Sequence, residues 1–558
     1  MPSDIICRIA VPTPLNRLFD YLPPKDMSVA EQQRLQAGQR LRVPFGRRYV
    51  TGLLLAVKQH TDVPADRLKH ASELIDAEPL LDSSLLKLLQ WVADYYHHPL
   101  GDTLFGFLPA LLRQGRVATP SNAKLVWRLS QRGLGLGSGA LKRAPKQAEL
   151  LALLQEYSEV DRNMLVAANI STAIVRSMEQ KQLVERSQLN KPPPTSAERP
   201  AQQQKLRLNT EQQDALQAIS TDLDHYSCNL LDGVTGSGKT EIYMQLIEDV
   251  LANGQQALVL VPEIGLTPQM QQRFTDRFGQ SVLSLHSSLS DTERLDNWLQ
   301  ARASTAQVIV GTRSAVLTPM PRLGLIVIDE EHDGSFKQQD GLRYSARDIA
   351  IKRAQSCAIP IVLGSATPST ESLNNAAQDK YRHLTLRHRV GNAAMPHFEI
   401  VDTSAQKLDE GLSEQLLQAA GRHLNAGQQV LLFLNRRGFA PTLLCGECGW
   451  IAQCNSCDAR LTVHSHTRQL RCHHCDAKGA WPKLCPTCKS ARLQALGIGT
   501  QRSEAALNAH FPTTHIIRLD RDSTQRKGEL QAKLAHVEQG EPCILLGTQM
   551  LAKGHHFP

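Results

Sequence analysis

The sequence predicts a multidomain α/β protein: two units of parallel sheet, preceded by an N-terminal β-rich domain and a small helical module, with a cysteine-rich insertion in the second unit. Three observations predict it. Beyond residue 205, short apolar runs such as "ALVLVPE", "LGLIVIDEEH" and "IPIVLGSATP" alternate with helical patterns, the rhythm of a parallel sheet covered by helices on both faces. A glycine-rich loop, "GVTGSGKT", joins one such run to a helix. Eight of the cysteines fall into four CxxC pairs between Cys445 and Cys488.

A chain of 558 residues is too long for a single hydrophobic core. Residues 1–112 open with strand-like runs, "IICRIAVP", "QRLRVPFG" and "YVTGLLLAV", and close with the amphipathic "SSLLKLLQWVADYYHHP". Residues 113–187 begin as a loop rich in Arg, Gly and Ser. They continue as short helices with a β-ending, which suits either a winged-helix module or a plain three-helix bundle. Prolines and polar residues make 188–205 a linker. The first α/β unit is expected over 206–425 and the second over 426–558, with the insertion at 445–488 inside it.

The loop Gly233, Val234, Thr235, Gly236, Ser237, Gly238, Lys239, Thr240 fits G-x-x-x-x-G-K-[ST]. Its backbone N–H groups can wrap phosphate at a helix N-terminus. Lys239 reaches the β/γ-phosphates and Thr240 holds Mg²⁺. In "LIVIDEEH" a buried strand ends in acids: Asp329 is expected to share the Mg²⁺ and Glu330 to activate the attacking water. Ser365 and Thr367 of "GSATP" end the next apolar strand and are expected to sense the γ-phosphate and pass on its loss.

The eight clustered cysteines suit two tetrahedral zinc sites. Only five residues separate Cys448 from Cys454, while fourteen separate Cys457 from Cys472, enough for a hairpin. The spacing therefore predicts nesting: Cys454, Cys457, Cys472 and Cys475 inside, Cys445, Cys448, Cys485 and Cys488 outside. His473 and His474 read as solvated knuckle residues. The formal charge of +8 falls to about +4 once two Zn²⁺ sit on eight thiolates, so it says little about partners. No apolar run is long enough to span a bilayer, and no export signal is legible. A cytoplasmic protein without a membrane partner is expected.

The ordered set of P-loop, DEEH and SAT is similar to the superfamily 2 helicases. "LNTEQ", "LVPEIGLTPQ", "LHSSLSDTERL", "VGTRSAVLTP", "FLNRRGFAP", the CxxC pairs and "GTQMLAKGHHFP" resemble, more narrowly, the PriA family of bacterial replication-restart helicases. The resemblance implies two RecA-like lobes and an ATP-driven 3′→5′ DNA helicase. Its implied substrates are forked and single-stranded DNA, and its implied partners are single-strand-binding protein and other primosome proteins. It assigns adenine reading to Gln212. It makes the stretch with Phe336, Arg343 and Tyr344 a DNA-contacting loop. Asp20, Gly46 and Lys69 would line a pocket for a 3′ DNA end. Such helicases close the second lobe with Q-x-x-G-R-x-G-R, which is not found; "QAAGRHLNAG" imitates its start on a plain amphipathic helix. A chain lacking those arginines is expected to bind ATP and DNA yet turn over slowly, by about 10³–10⁵. A DNA-fork scaffold that recruits partners without hydrolysis is the alternative reading, and an RNA helicase a weaker third.

Overall fold

The computed structural model describes the chain apart from residues 1–4, 120–123, 137–143, 158–159, 162–163, 166–169, 171, 190–205, 263–267, 393–395, 404–405, 407, 435–441, 458, 465–468, 473–474, 476, 497–499, 520–528 and 548–558. Most of the expected linker, all of "GTQMLAKGHHFP" except Gly547, all of "NRRGFAP", and His473 and His474 therefore lie outside the described residues. The chain divides into two units, residues 1–263 with 271–392, and 264–270 with 393–558.

The first unit opens with an antiparallel sheet of β1 (Ile6–Ala10), β2 (Phe19–Tyr21), β3 (Arg40–Phe45), β4 (Arg48–Lys58) and β5 (Glu73–Leu74), in the order β2-β1-β4-β3-β5. Alternating side chains bury Cys7, Ile9, Leu41, Val43 and Leu54 on one face. Arg40 is fully buried. It makes a two-pronged ion pair with Asp76, at 2.7 Å to each oxygen, and donates to the carbonyls of Leu112 and Arg116. That guanidinium ties the sheet to the chain leaving the domain, because a buried charge is stable only when its donors are all matched.

Residues 124–189 combine an antiparallel sheet with helices. β6 (Lys124–Leu129) pairs with β7 (Val160–Asp161) and β8 (Val184–Leu189). The helices Pro145–Tyr157 and Thr172–Gln180 pack on it through Leu150, Leu154, Val175 and Met178. The sheet sets this region apart from a plain three-helix bundle. β6 was not expected, since the sequence there reads as the end of a loop.

The rest of the first unit is a seven-stranded parallel sheet. Its strands are β9 (Cys228–Gly233), β10 (Gln256–Leu260), β11 (Val282–Leu285), β12 (Val308–Gly311), β13 (Leu323–Asp329), β14 (Ile361–Ser365) and β15 (Arg382–Leu386), ordered β11-β12-β10-β13-β14-β9-β15. β10, β13 and β14 are buried along almost their whole length, as expected of strands covered on both faces. The helix Ser83–Tyr95 buries Leu85, Leu86, Leu88, Leu89 and Val92. Those residues join one continuous apolar cluster with Leu258, Ile326 and Leu363 of the parallel sheet.

In the second unit β16 (Val430–Phe433), β22 (His515–Leu519) and β23 (Cys543–Gly547) form a parallel sheet in the order β16-β23-β22. Leu412, Leu417 and Leu424 pack with Leu432, Ile544 and Leu546. The helix Glu414–Asn425 thus belongs to this second lobe, which corrects the expected boundary at 425/426: an amphipathic helix goes with the sheet that buries its apolar stripe. The imitation segment at Gln418–Gly427 lies on this helix and in the turn that ends it, ahead of β16, as the sequence implied. The insertion forms a separate antiparallel sheet of β17 (Thr442–Cys445), β18 (Thr462–His464), β19 (Gln469–Arg471), β20 (Lys478–Ala480) and β21 (Leu493–Leu496).

Replacing Asp76 by Ala leaves Arg40 charged and unpaired inside the protein. The variant should lose about 3–5 kcal/mol of stability, read as a lower midpoint in urea denaturation followed through the N-terminal domain.

Candidate ATP site and zinc centres

Three turns far apart in sequence meet because their strands are neighbours. The order β13-β14-β9 sets Asp329 opposite Gly364, and Gly364 and Ser365 opposite Leu231 and Asp232. All three turns leave the carboxyl ends of parallel strands, where α/β sheets bind ligands.

After β9 the P-loop turns with Gly236 and Gly238 at φ of 81° and 82°, conformations that favour glycine. The helix Lys239–Ala252 then begins. The Lys239 ammonium folds back to donate to the Gly233 carbonyl at 2.7 Å. The buried Ser237 hydroxyl has no hydrogen-bond partner among the described residues. A loop with unpaired donors and two left-handed glycines at a helix N-terminus has the character of a phosphate cradle.

Tyr243 lies one helical turn after Lys239 and is fully buried. Its hydroxyl donates to Asp329 Oδ1 at 3.2 Å. A Cβ on Gly364 would lie 1.6 Å from that hydroxyl, so only glycine admits this contact. Burial first and the Glu330 charge second push the Asp329 carboxyl up to about 6, while Lys239 and the Tyr243 hydroxyl pull it down. A carboxylate in that position gains from a nearby cation, which fits it and Thr240 as holders of Mg²⁺. Bound there, Mg²⁺ would neutralise charge on the β- and γ-phosphates.

Glu330 sits at φ 51°, a backbone strain of the kind that concentrates at functional sites. Its carboxylate is 3.5 Å from His332 Nδ1. That same nitrogen lies 2.8 Å from Ser365 Oγ, which accepts from the Thr367 N–H at 2.9 Å. A polar path therefore runs from the Glu330 carboxylate to the SAT turn. Beside it, Glu331 is buried and accepts from Arg347 Nη1 at 2.9 Å, the Ser369 N–H at 2.6 Å, and the hydroxyls of Ser369 and Ser372 at 3.1 and 2.9 Å. Sequence reasoning passed over Glu331, Arg347 and Tyr243. The only signal was a third acid in "DEEH", which looks the same whether it faces water or the core.

The eight cysteines form two clusters, Cys445, Cys448, Cys485, Cys488 and Cys454, Cys457, Cys472, Cys475, the nested pairing read from the spacing. The sulfur pairs Cys445–Cys488, Cys448–Cys485, Cys454–Cys475 and Cys457–Cys472 stand 3.5, 3.6, 3.5 and 3.5 Å apart. A disulfide needs about 2 Å, whereas a tetrahedron with Zn–S near 2.3 Å spaces its sulfurs by roughly 3.8 Å. Burial pushes the Cys485 thiol up, but backbone N–H groups of Cys488 and Thr487 outweigh it and bring it to about 6. The donor set fits two zinc ions, which would cross-link the knuckles. The insertion's own core, Leu443, Ala452, Val463 and Leu470, is small for a free-standing domain.

Residues 8–109 match the 3′DNA-binding domain (3′BD) of PriA, 200–376 the DEAD/DEAH box helicase family, and 454–478 the PriA DNA helicase Cys-rich region (CRR) domain. The replication restart protein PriA of Haemophilus influenzae is 47% identical over 561 residues, covering 99% of this chain and 75% of its own. That of Bacillus subtilis is 35% identical over 616 residues, covering 98% and 76%. The chain belongs to the PriA family. It is a replication-restart helicase, an ATP-dependent enzyme acting on DNA, with two four-cysteine zinc sites. Among solved structures, the DEAD-box helicase Mss116 bound to ssRNA and UDP-BeF aligns over 63% of this chain and 62% of its own, at 14% identity and a TM-score of 0.38, a likeness too loose to add to the fold.

Two residue roles implied by the PriA resemblance change in the structure. Gln212 is buried, with Nε2 donating to the Ser237 carbonyl at 2.7 Å and Oε1 accepting from the Asn209 N–H at 2.8 Å. Both ends of its amide serve the backbone, so it braces the P-loop here rather than presenting an edge to adenine. Phe336 and Tyr344 are 3% and 2% exposed and belong to the main apolar cluster. Their rings anchor the loop that follows the DEEH acids and cannot stack on a base in this arrangement. Arg343 between them is exposed. In the front domain Asp20 is held by Arg8 at 2.9 and 3.1 Å and by the Thr61 hydroxyl at 2.7 Å. Burial raises its carboxyl, but Arg8 and Thr61 prevail and hold it below the usual range. The segments carrying Asp20, Gly46 and Lys69 are neighbours: Phe19 meets Phe45 edge-on at 5.2 Å, and the Leu22 N–H donates to the Lys69 carbonyl.

Changing Cys472 to Ser should halve the bound zinc from two ions to one, measured by atomic emission on purified protein, and changing Cys485 to Ser should do the same. The double variant should hold none.

Proposed function

We propose that the chain converts ATP hydrolysis into 3′→5′ movement along DNA at stalled or abandoned forks, and that it starts primosome assembly there. Lys239 and the N–H groups of Gly233–Gly238 would hold the triphosphate. Thr240 and Asp329 would share its Mg²⁺, and Glu330 would orient the attacking water and take its proton. Loss of the γ-phosphate would then be felt at Ser365 and Thr367 through His332. The observation that supports this reading is the hydrogen-bonded line His332–Ser365–Thr367, with the Glu330 carboxylate 3.5 Å from the His332 ring, because it connects the acid after Asp329 to a turn outside the phosphate cradle.

The front domain would take the 3′ end of a nascent strand near Asp20, Gly46 and Lys69. With Asp20 already paired to Arg8, the exposed Lys69 is the group left to meet phosphate, and Arg343 would meet the backbone of the tracked strand. The zinc insertion would face DNA or partner proteins, single-strand-binding protein among them, rather than ATP. The protein would work in the cytoplasm on the nucleoid. No helix among the described residues is long and apolar enough to cross a membrane.

A second reading, a fork-binding scaffold that needs no hydrolysis, is favoured by one feature: the front sheet and the zinc-bearing sheet have hydrophobic clusters of their own. Lys239→Ala separates the two. DNA-stimulated ATP turnover should fall by about 10²–10³, while affinity for a forked oligonucleotide stays within about twofold. Restart activity lost with turnover supports the motor. Restart activity retained supports the scaffold.

A further inference from the structure

A cavity of about 350 Å³ opens where the N-terminal domain meets the helicase lobe. His98, Phe107 and Arg113 line it from the N-terminal side, and Trp298, Gln338 and Tyr344 from the lobe. Two of its walls therefore come from the stretches that match the 3′DNA-binding and DEAD/DEAH families. Phe107 and Tyr344 meet edge-on with centroids 5.1 Å apart, which fixes an aromatic corner. Two cations, Arg113 and Arg294, line it against a single acid, Asp102, while burial and Arg294 hold the His286 imidazole neutral. Arg294 is engaged by the Ser287 and His286 carbonyls, at 3.1 and 3.4 Å, so Arg113 is the cation assigned to meet a phosphate.

The volume is at the small end for ligand pockets. It admits one nucleobase with its sugar and excludes a duplex or a helix. Aromatic walls with a cationic rim are the recurring means of holding an unpaired base without reading its sequence. Tyr344 and Gln338 also belong to the loop that leaves the DEEH acids. Its next residue, Ser345, donates its N–H to the Tyr96 hydroxyl at 3.1 Å, so the cavity abuts a segment pinned between the two domains.

We propose that this cavity receives one unpaired base of single-stranded DNA, packed against the partly buried Phe107 with its phosphate toward Arg113. The proposal rests on the reading of the chain as a DNA motor. It places a base grip at the domain junction rather than on the Phe336 and Tyr344 rings themselves.

The test uses the full chain with a single-stranded oligonucleotide carrying 5-iododeoxyuridine, photo-crosslinked and mapped by mass spectrometry. Adducts are expected on Phe107, and excess unlabelled oligonucleotide should remove them. Gly106 lies on the rim, and a Cβ there meets nothing within 4 Å, so Gly106→Phe should fill the cavity without a clash. That variant should bind the oligonucleotide about tenfold more weakly, the worth of one stacked base, and lose the adducts, while its melting temperature and ATP affinity match the parent. Adducts confined to other residues, adducts that persist under excess unlabelled oligonucleotide, or unchanged oligonucleotide affinity in Gly106→Phe would overturn the pocket. A chain that binds no single-stranded oligonucleotide at all would overturn the motor reading together with it.

Discussion

A buried carboxylate with its acceptor sites filled holds the catalytic turns in place. Glu331 takes hydrogen bonds from Arg347, Ser369 and Ser372, and its own N–H donates to the Gly364 carbonyl. A charge removed from water is tolerated only when matched in this way. The matching fixes the end of β13 against the end of β14. Asp329 and Glu330 immediately precede it, so their positions follow from where Glu331 is anchored. The left-handed backbone at Glu330 is the local cost of turning the chain between the Asp329 carboxylate and this anchor. Tyr243 adds the third side: its hydroxyl reaches Asp329 over the bare Cα of Gly364 and so brings the P-loop helix into the same lattice.

Arg347 extends that lattice outward. It lies in the first turn of the helix Ala346–Cys357, directly after the loop that Phe336 and Tyr344 pin into the core. Tyr96 of the N-terminal domain accepts from the first residue before that helix, and Lys337 and Lys352 lie over the Tyr96 and Trp91 rings at 5.4 and 5.6 Å. With the helix Ser83–Tyr95 sharing the lobe's apolar cluster, the front domain is continuous with the motor's core. Such a junction resists independent motion, because sliding it would expose packed aromatic and aliphatic surface. The helix after the DEEH turn and the front domain are therefore joined by packed side chains and by the Ser345–Tyr96 hydrogen bond.

What was legible in the sequence was what short-range pattern encodes. Strands β9, β10, β12, β13 and β14 showed as apolar runs, the P-loop showed as glycines around a lysine, and the cysteine nesting followed from five residues against fourteen. What was not legible depends on partners far along the chain. Phe336 and Tyr344 read equally well as stacking platforms or as anchors, and only the fold decides, by setting Phe107 beside Tyr344. Gln212 looked free to read a base, but Asn209 and Ser237 occupy its amide. The lobe boundary was misplaced because helix Glu414–Asn425 has an apolar stripe that fits any neighbouring sheet.

The zinc insertion follows a different logic from the lobes. Among the described residues its core is slight, Leu443, Ala452, Val463 and Leu470 with Trp450, Leu461, Trp481 and Leu493 packed against them, so sulfur coordination would supply much of its order. The lobe around Lys239 needs no such staple. Everything attributed to it depends on a nucleotide lying between Lys239 and Asp329. Crystals grown with a non-hydrolysable ATP analogue and Mn²⁺ test this directly through the anomalous signal of the metal. The account predicts one strong peak between the Thr240 hydroxyl and the Asp329 carboxylate, with the γ-phosphate against the Lys239 ammonium. A nucleotide bound elsewhere, or a metal peak away from both side chains, would contradict it.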